Sequence, residues 1–449
     1  MLLTEKEARA ITEKLLGYTK ADDASASVTS ETYSHLRFAA NSFLTSGRRE
    51  NMNANVVVWI NRKRGAASTN DLDDASLKAA VEEAERLANI SPVDVEYVPT
   101  LKAQTYKPSL GYAEATANVP LVDRAKAVGD IITASEKAGV LSAGFHQAQA
   151  SAAAQATKNG NFDYERRSIV SLGMTARTLD GAGSGYFLRS HYDISKLDTA
   201  RISREAIRRA LESRNARVLD AGVYPVILEP QAVADLIGGF GFGFDARSAE
   251  EGRSAYSAAG GKTKVGEKIF DERINILSDP WRADLPGSQS TQAGLPAEVV
   301  YLVRNGVLEN LVYSRFWAQK RERQPTPGPV NLIMETSAKP STVEEMIQNT
   351  TRGLLVSRFW YIRGVDPRTA TLTGLTRDGV WLVENGKIQY PVRNFRFNQS
   401  IIQMLAPGNV EMIGTPERVG SSEGQGGSAA LLPALKLKAF KFTSQSEAV

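Results

Sequence analysis

Val380-Trp381-Leu382-Val383-Glu384-Asn385-Gly386-Lys387-Ile388-Gln389-Tyr390-Pro391-Val392 consists of two strand-forming runs joined by Asn-Gly. That pair tolerates positive φ at both central positions of a type I′ turn, so the stretch predicts a tight antiparallel hairpin. Val299 to Val312 repeats the pattern around Asn305-Gly306. Near the end of the chain, Ala434 to Phe442 alternates strictly, which predicts one buried and one solvated face. Between the hairpins, Ser341 and Glu344 predict a capping box for a helix ending near Gly353. The carboxyl-terminal half is therefore expected to be β-rich, mostly antiparallel and barrel-like, with few helices.

The first half mixes both periods. Thr4 and Glu7 form a capping box ahead of the stripe Ala8, Ile11 and Leu15, and Gly17 suits a left-handed closing position. Strand-like runs follow at Ala24 to Ser30, His35 to Phe43 and Asn53 to Arg62. A helix from Asp74 carries Leu77, Val81, Ala84 and Ala88 on one face and stops before Pro92. A second helix covers about Leu121 to Ala138, several strands lie between Leu141 and Tyr192, and a third helix spans Ser203 to Ser213. In that helix Ala206, Ile207, Ala210 and Leu211 should face inward, and Arg204, Arg208 and Arg209 should face water. The fold class expected is α+β: an α/β amino-terminal domain over 1–220, then the β-rich domain over 221–449.

The 449 residues carry 23% charged side chains and a net charge of only +4, so a nucleic-acid surface is not expected. The longest apolar runs, such as Val56 to Ile60, are strand-sized, and the start Met1-Leu2-Leu3-Thr4-Glu5 lacks the pattern of a secretory signal. A cytoplasmic location with no membrane segment is the expectation.

There is no cysteine, and the three histidines, His35, His146 and His191, are far apart in sequence. A catalytic zinc helix needs two histidines on one face with a carboxylate above the bound water, and that pattern cannot be written from these residues. His146 and His191 read as structural histidines in strands. Glu250-Glu251 and Asp271-Glu272 read as solvent-facing acids. Gly241 to Ala246 formally fits G-x-G-x-x-A but follows a helical pattern rather than a strand, so it reads as a loop. Gly238 to Phe244 alternates glycine with phenylalanine, and Ser421 to Ser428 is a second low-complexity loop. Alternation in Arg358-Phe359-Trp360-Tyr361-Ile362 sends Phe359 and Tyr361 to one face, read as core, and Arg358, Trp360 and Ile362 to the other.

Gly353 to Arg363, then Asp378 to Ile388 with Tyr390-Pro391-Val392, Asn331-Leu332 and Leu432 to Leu437, resemble the TldD/PmbA family in kind and order. Arg37 to Asn41, Gly65 to Asn70 and the helix from Asp74 continue that order into the first half. The resemblance implies two branches that pair as a heterodimer and hydrolyse unfolded peptides, with zinc in one branch only. Family members are linked to peptide-antibiotic maturation, antitoxin turnover and modulation of DNA gyrase.

In the zinc branch the ligands sit on a helix after the first strand of the second domain, with a cysteine near the chain end. Here the matching helix is Gln231 to Ile237, which has no histidine or glutamate, and Ser421 and Ser422 stand near the cysteine's place. The resemblance thus implies the non-zinc, TldE/PmbA-like branch: no cofactor in this chain, and zinc in a TldD-like partner. Phe240, Phe242, Phe244, Ser421, Ser422, Arg358 and Trp360 are the expected lining of a vestigial site or peptide chamber, with the two loops approaching each other. A homo-oligomeric scaffold that binds peptides or proteins without catalysis is the alternative, and a peptidase with another nucleophile is a third reading.

Overall fold

A computed structural model describes residues 2–237, 243–420 and 429–446. The first unit opens with α1 (Glu5–Tyr18), β1 (Asp23–Ala39), β2 (Ser42–Ile60), β3 (Lys63–Thr69) and α2 (Asp74–Ile90). After the short α3 (Glu114–Ala117) come α4 (Leu121–Lys137), β4 (Val140–Thr157), β5 (Phe162–Thr178), β6 (Ser184–His191) and α5 (Thr199–Glu212). The order helix, three strands, helix therefore occurs twice.

All six strands form one antiparallel sheet in the order β3-β2-β1-β4-β5-β6, so the expected α/β layer is instead an antiparallel α+β one. Tight connections make the long hairpins possible. Ala40-Asn41 and Asn61-Arg62 each place two consecutive residues at positive φ, and the Asn41 amide donates to the Val140 carbonyl. Strands read as separate, His35 to Phe43 among them, are thus parts of one hairpin.

The helices cover one face of this sheet. The face is apolar on alternate residues: Ala24, Ala26 and Val28 pack with Val56, Val58, Leu77 and Val81, while Leu36 and Phe38 pack with Val128, Leu172, Met174 and Ile202. Two glycines let helices sit against the strands. A Cβ on Gly65 would lie 1.9 Å from the Ala84 carbonyl oxygen of α2, and one on Gly185 would lie 2.2 Å from that of Ala206 in α5. Gly17 does not close α1, which runs on to Tyr18 and ends in an extended Thr19.

The second unit begins with β7 (Val223–Leu228) and α6 (Pro230–Ile237). β7 lies between Arg352–Val356, which it pairs in parallel, and Leu435–Gln445, which it pairs antiparallel, inside a nine-stranded sheet. A six-stranded sheet built on Ile274–Ser278 and Val300–Arg304 packs with it. Both Asn-Gly hairpins form, with φ of 49° and 77° at Asn305-Gly306 and of 50° and 75° at Asn385-Gly386. The strand order of each sheet is open among the described residues, so the barrel-like closure is not found.

Several local expectations shift for identifiable reasons. The helix cap is Thr342 with Glu345, one residue later than expected. A register shift between Leu437 and Phe440 breaks the alternation of the last strand, and Lys436 turns inward to the Asn349 carbonyl and the Glu411 carboxylate. A second irregularity, between Trp360 and Arg363, sets Tyr361 at φ 54° and leaves it 58% exposed, so it is not core. Glu250 is enclosed rather than solvent-facing, because Tyr313, Trp317 and Arg321 all donate to its carboxylate. Asp271 is buried against Arg273 in the same way.

Candidate functional site at the seam between the two units

β7 delivers the chain to α6, and the Glu229 N–H bonds the Val356 carbonyl at the junction. All eight residues of α6 are buried. Gln231 and Asp235 share one face because they lie one turn apart. The Gln231 amide donates to Asp235 Oδ1 at 3.0 Å and to the Gly420 carbonyl at 2.6 Å. Asp235 Oδ2 accepts the Phe359 N–H at 3.0 Å.

The first sheet meets this helix through β6. Phe187 points to the helix-covered face, so its neighbours Ser184 and Tyr186 point the other way, toward the second unit. Ser184 donates to Asp378, and Asp378 lies 3.2 Å from Arg358 Nε. The Arg358 guanidinium sits over the Tyr186 ring at 4.0 Å and over the Trp360 ring at 4.8 Å. Burial pushes the Tyr186 hydroxyl up, Arg358 opposes the shift, and Asp235 and Asp378 add to it. Tyr186 therefore remains a neutral phenol.

Further along the seam, Arg209 of α5 reaches Glu229 at 2.6 Å, and burial pushes that carboxyl up against the pull of Arg209, Arg208 and Arg189. Arg209 is thus buried, not water-facing as the helical pattern suggested, while Leu211 on the expected inward face is 37% exposed. Arg189 and Arg201 share Glu417, and Arg418 donates to the Ser190 carbonyl. A cavity of about 450 Å³ opens beside Ser184, Asp378, Arg393 and Asn394. Another of about 730 Å³ lies at the end of α6, walled by Leu236, Ile237, Tyr256, Leu372 and Ile401.

Of the residues singled out from sequence, Arg358 and Trp360 are brought together here. Phe244 is buried elsewhere, with its ring stacked 5.0 Å from that of Tyr256. Phe240, Phe242, Ser421 and Ser422 lie outside the described residues, and so does the expected approach of their two loops. The Gln231–Gly420 bond does join the described residues that lead into those loops. Sequence reading missed Tyr186, Asp235 and Asp378. Only the i, i+4 spacing of Gln231 and Asp235 carried a signal for any of them.

The model of the PmbA/TldA metallopeptidase C-terminal domain matches residues 221–444, and that of PmbA/TldA metallopeptidase domain 1 matches residues 24–88. The chain belongs to the TldD/PmbA family. A metalloprotease of Methanothermobacter thermautotrophicus is 24% identical over 327 residues, covering 68% of this chain and 69% of its own. TldE from Thermococcus kodakarensis shares the fold with a TM-score of 0.82 at 16% identity, covering 97% of this chain and 99% of its own. A Thermotoga maritima protein described as a candidate modulator of a DNA gyrase shares it with a TM-score of 0.84 at 16% identity, covering 97% and 100%.

A TldD/PmbA chain raises the question of zinc, and the described residues do not fit one. α6 offers a single carboxylate, Asp235, whose two oxygens already accept N–H groups from Gln231 and Phe359. His146 lies on β4 with Nδ1 against the Ser171 carbonyl at 2.9 Å, His191 Nδ1 accepts the Asp193 N–H, and His35 stacks on Phe145. Among the described residues no group of three His, Cys, Asp or Glu side chains could hold a metal ion. No helix of the described residues is long and apolar enough to cross a membrane.

Proposed function

We propose that this chain is the TldE/PmbA-like, non-catalytic subunit of a heterodimeric TldD/TldE-type peptidase acting on unfolded peptides in the cytoplasm. The observation that supports this reading is the engagement of the one carboxylate on α6, where Asp235 accepts N–H groups from Gln231 and Phe359 on its two oxygens and the Gln231 amide also donates to the Gly420 carbonyl. A TldD-like partner supplies the zinc and the hydrolytic step. This chain supplies a wall of the peptide chamber and holds substrate within reach of the partner.

Co-expression with a TldD-like chain tests the proposal. The expected result is a stable complex that cleaves unfolded peptides, with neither activity nor chelator sensitivity in this chain alone. A partner equally active by itself would sink the proposal.

A second reading, a homo-oligomeric scaffold that binds peptides or proteins, is favoured by one feature. β3 pairs with β2 only over Ala54 to Ile60, so β2 from Ser42 to Asn53 is an unpaired sheet edge. Such edges are natural acceptors for another strand. A homodimer in solution that ignores TldD-like chains would establish that reading.

A further inference from the structure

Arg358 is a buried guanidinium with most of its hydrogen-bonding capacity unused. It is 4% exposed, yet it donates no hydrogen bond among the described residues, and its Nε is buried without an acceptor. Its contact with Asp378 at 3.2 Å is an ion pair whose angle makes no hydrogen bond. A guanidinium carries five N–H donors in a planar fork, and burying such donors unmet is costly. The cost is tolerated where the fork is held ready for a ligand.

The fork is held firmly. Tyr186 and Trp360 flank it with their rings, and neither the Tyr186 hydroxyl nor the Trp360 indole N–H has a hydrogen-bond partner among the described residues. Both residues are half-buried, so the cluster reaches solvent on their side. Asp378 is already engaged by Ser184, and Arg377 brings a second guanidinium within 3.8 Å of the same carboxylate and over the Trp360 ring at 5.5 Å. Two cations thus share Asp378. Asp235, the other acid in this field, is occupied by backbone and amide N–H groups. A planar anion meeting the Arg358 fork would find bidentate donors, a neutral phenol O–H and an indole N–H.

We propose that Arg358, Tyr186 and Trp360 form a carboxylate anchor for a bound peptide. The inference rests on the peptide-chamber reading for the identity of the ligand, not for the geometry of the site. The carboxylate can come from the peptide's own terminus or from an acidic side chain.

Fluorescence anisotropy with the isolated full chain tests it, using three labelled eight-residue unstructured peptides. One has a free carboxyl terminus and no acidic residue, one is its amide, and one is the amide with a single internal glutamate. The free acid or the glutamate peptide should bind roughly tenfold or more tightly than the neutral amide, and whichever does so names the source. Arg358→Gln should abolish that difference, and Arg358→Lys should keep only part of it. If Arg358→Gln fails to fold by circular dichroism, Tyr186→Phe serves, and should weaken carboxylate peptides by a few fold without affecting the neutral amide. Equal binding of all three peptides, no binding of any, or discrimination that survives these variants would overturn the anchor. Capture of a TldD-like partner is read separately, so loss of the anchor and loss of the subunit reading are distinct results.

Discussion

Arg209 on α5 and Glu229 at the entrance to α6 meet at 2.6 Å across the seam, with side chains only 6% and 14% exposed. The same guanidinium donates to the Tyr186 carbonyl at 3.0 Å. One side chain therefore ties the helix layer of the first unit, the strand that carries Tyr186 and the start of α6.

Removing only the cation should be expensive. Arg209→Met leaves a buried carboxylate without its partner and should cost about 3–5 kcal/mol in urea denaturation. Arg209→Met with Glu229→Leu should recover much of that loss. A single variant with wild-type stability would show that the pair contributes nothing.

His146 should make stability depend on pH. Burial holds its imidazole down to about 4, whereas in the unfolded chain it titrates near the ordinary histidine value of 6.5. The unfolded state then binds the extra proton first, so this contribution is complete above pH 6.5 and is lost as pH falls toward 4. The loss should approach about 3 kcal/mol, and His146→Gln should flatten that part of the profile.

Gly65→Ala and Gly185→Ala should both destabilise the first unit, because the new methyl group meets helix backbone at 1.9 Å and 2.2 Å. Neither helix can yield without leaving the sheet, so losses of roughly 1–3 kcal/mol or more are expected in thermal or urea unfolding. Gly129→Ala on α4, with nothing within 4 Å, is the control and should be neutral or stabilising.

The purified chain should hold no stoichiometric zinc after a mild chelator wash. About one ion per chain by elemental analysis would contradict the reading of α6, and its loss in Asp235→Asn would locate the error.

What could be read from the sequence was local. Asn-Gly at 305–306 and 385–386 and the box at Thr4 and Glu7 are fixed by backbone φ and by end groups that must be satisfied, so their structures followed directly. Strand alternation failed at Tyr361 because a bulge shifts the phase of the side chains and leaves no mark in composition, and at Lys436 because Asn349 and Glu411 cover the face expected to be solvated. The site was harder still. Ser184 and Asp378 are 194 residues apart, and nothing near either one announces the other. Arg358 and Trp360 stood out as an aromatic–basic pair, but Tyr186, which completes their stack, came from the opposite unit.

The twofold recurrence of helix, three strands, helix reaches beyond packing. Gly65 beneath Ala84 and Ala88, and Gly185 beneath Ala206 and Ala210, are the same device at opposite edges of the sheet. The sheet of the two recurrences is joined where β1 runs antiparallel to β4, from Ser25 beside Thr157 to Phe38 beside Gly144. Antiparallel pairing of like strands is how two identical chains join about a dyad. The first unit thus has the form of two like halves paired within one chain, with the segment from Ser91 to Pro120 linking them. The halves differ in what they offer their surroundings: one leaves an open edge on β2, and the other turns Tyr186 toward the second unit.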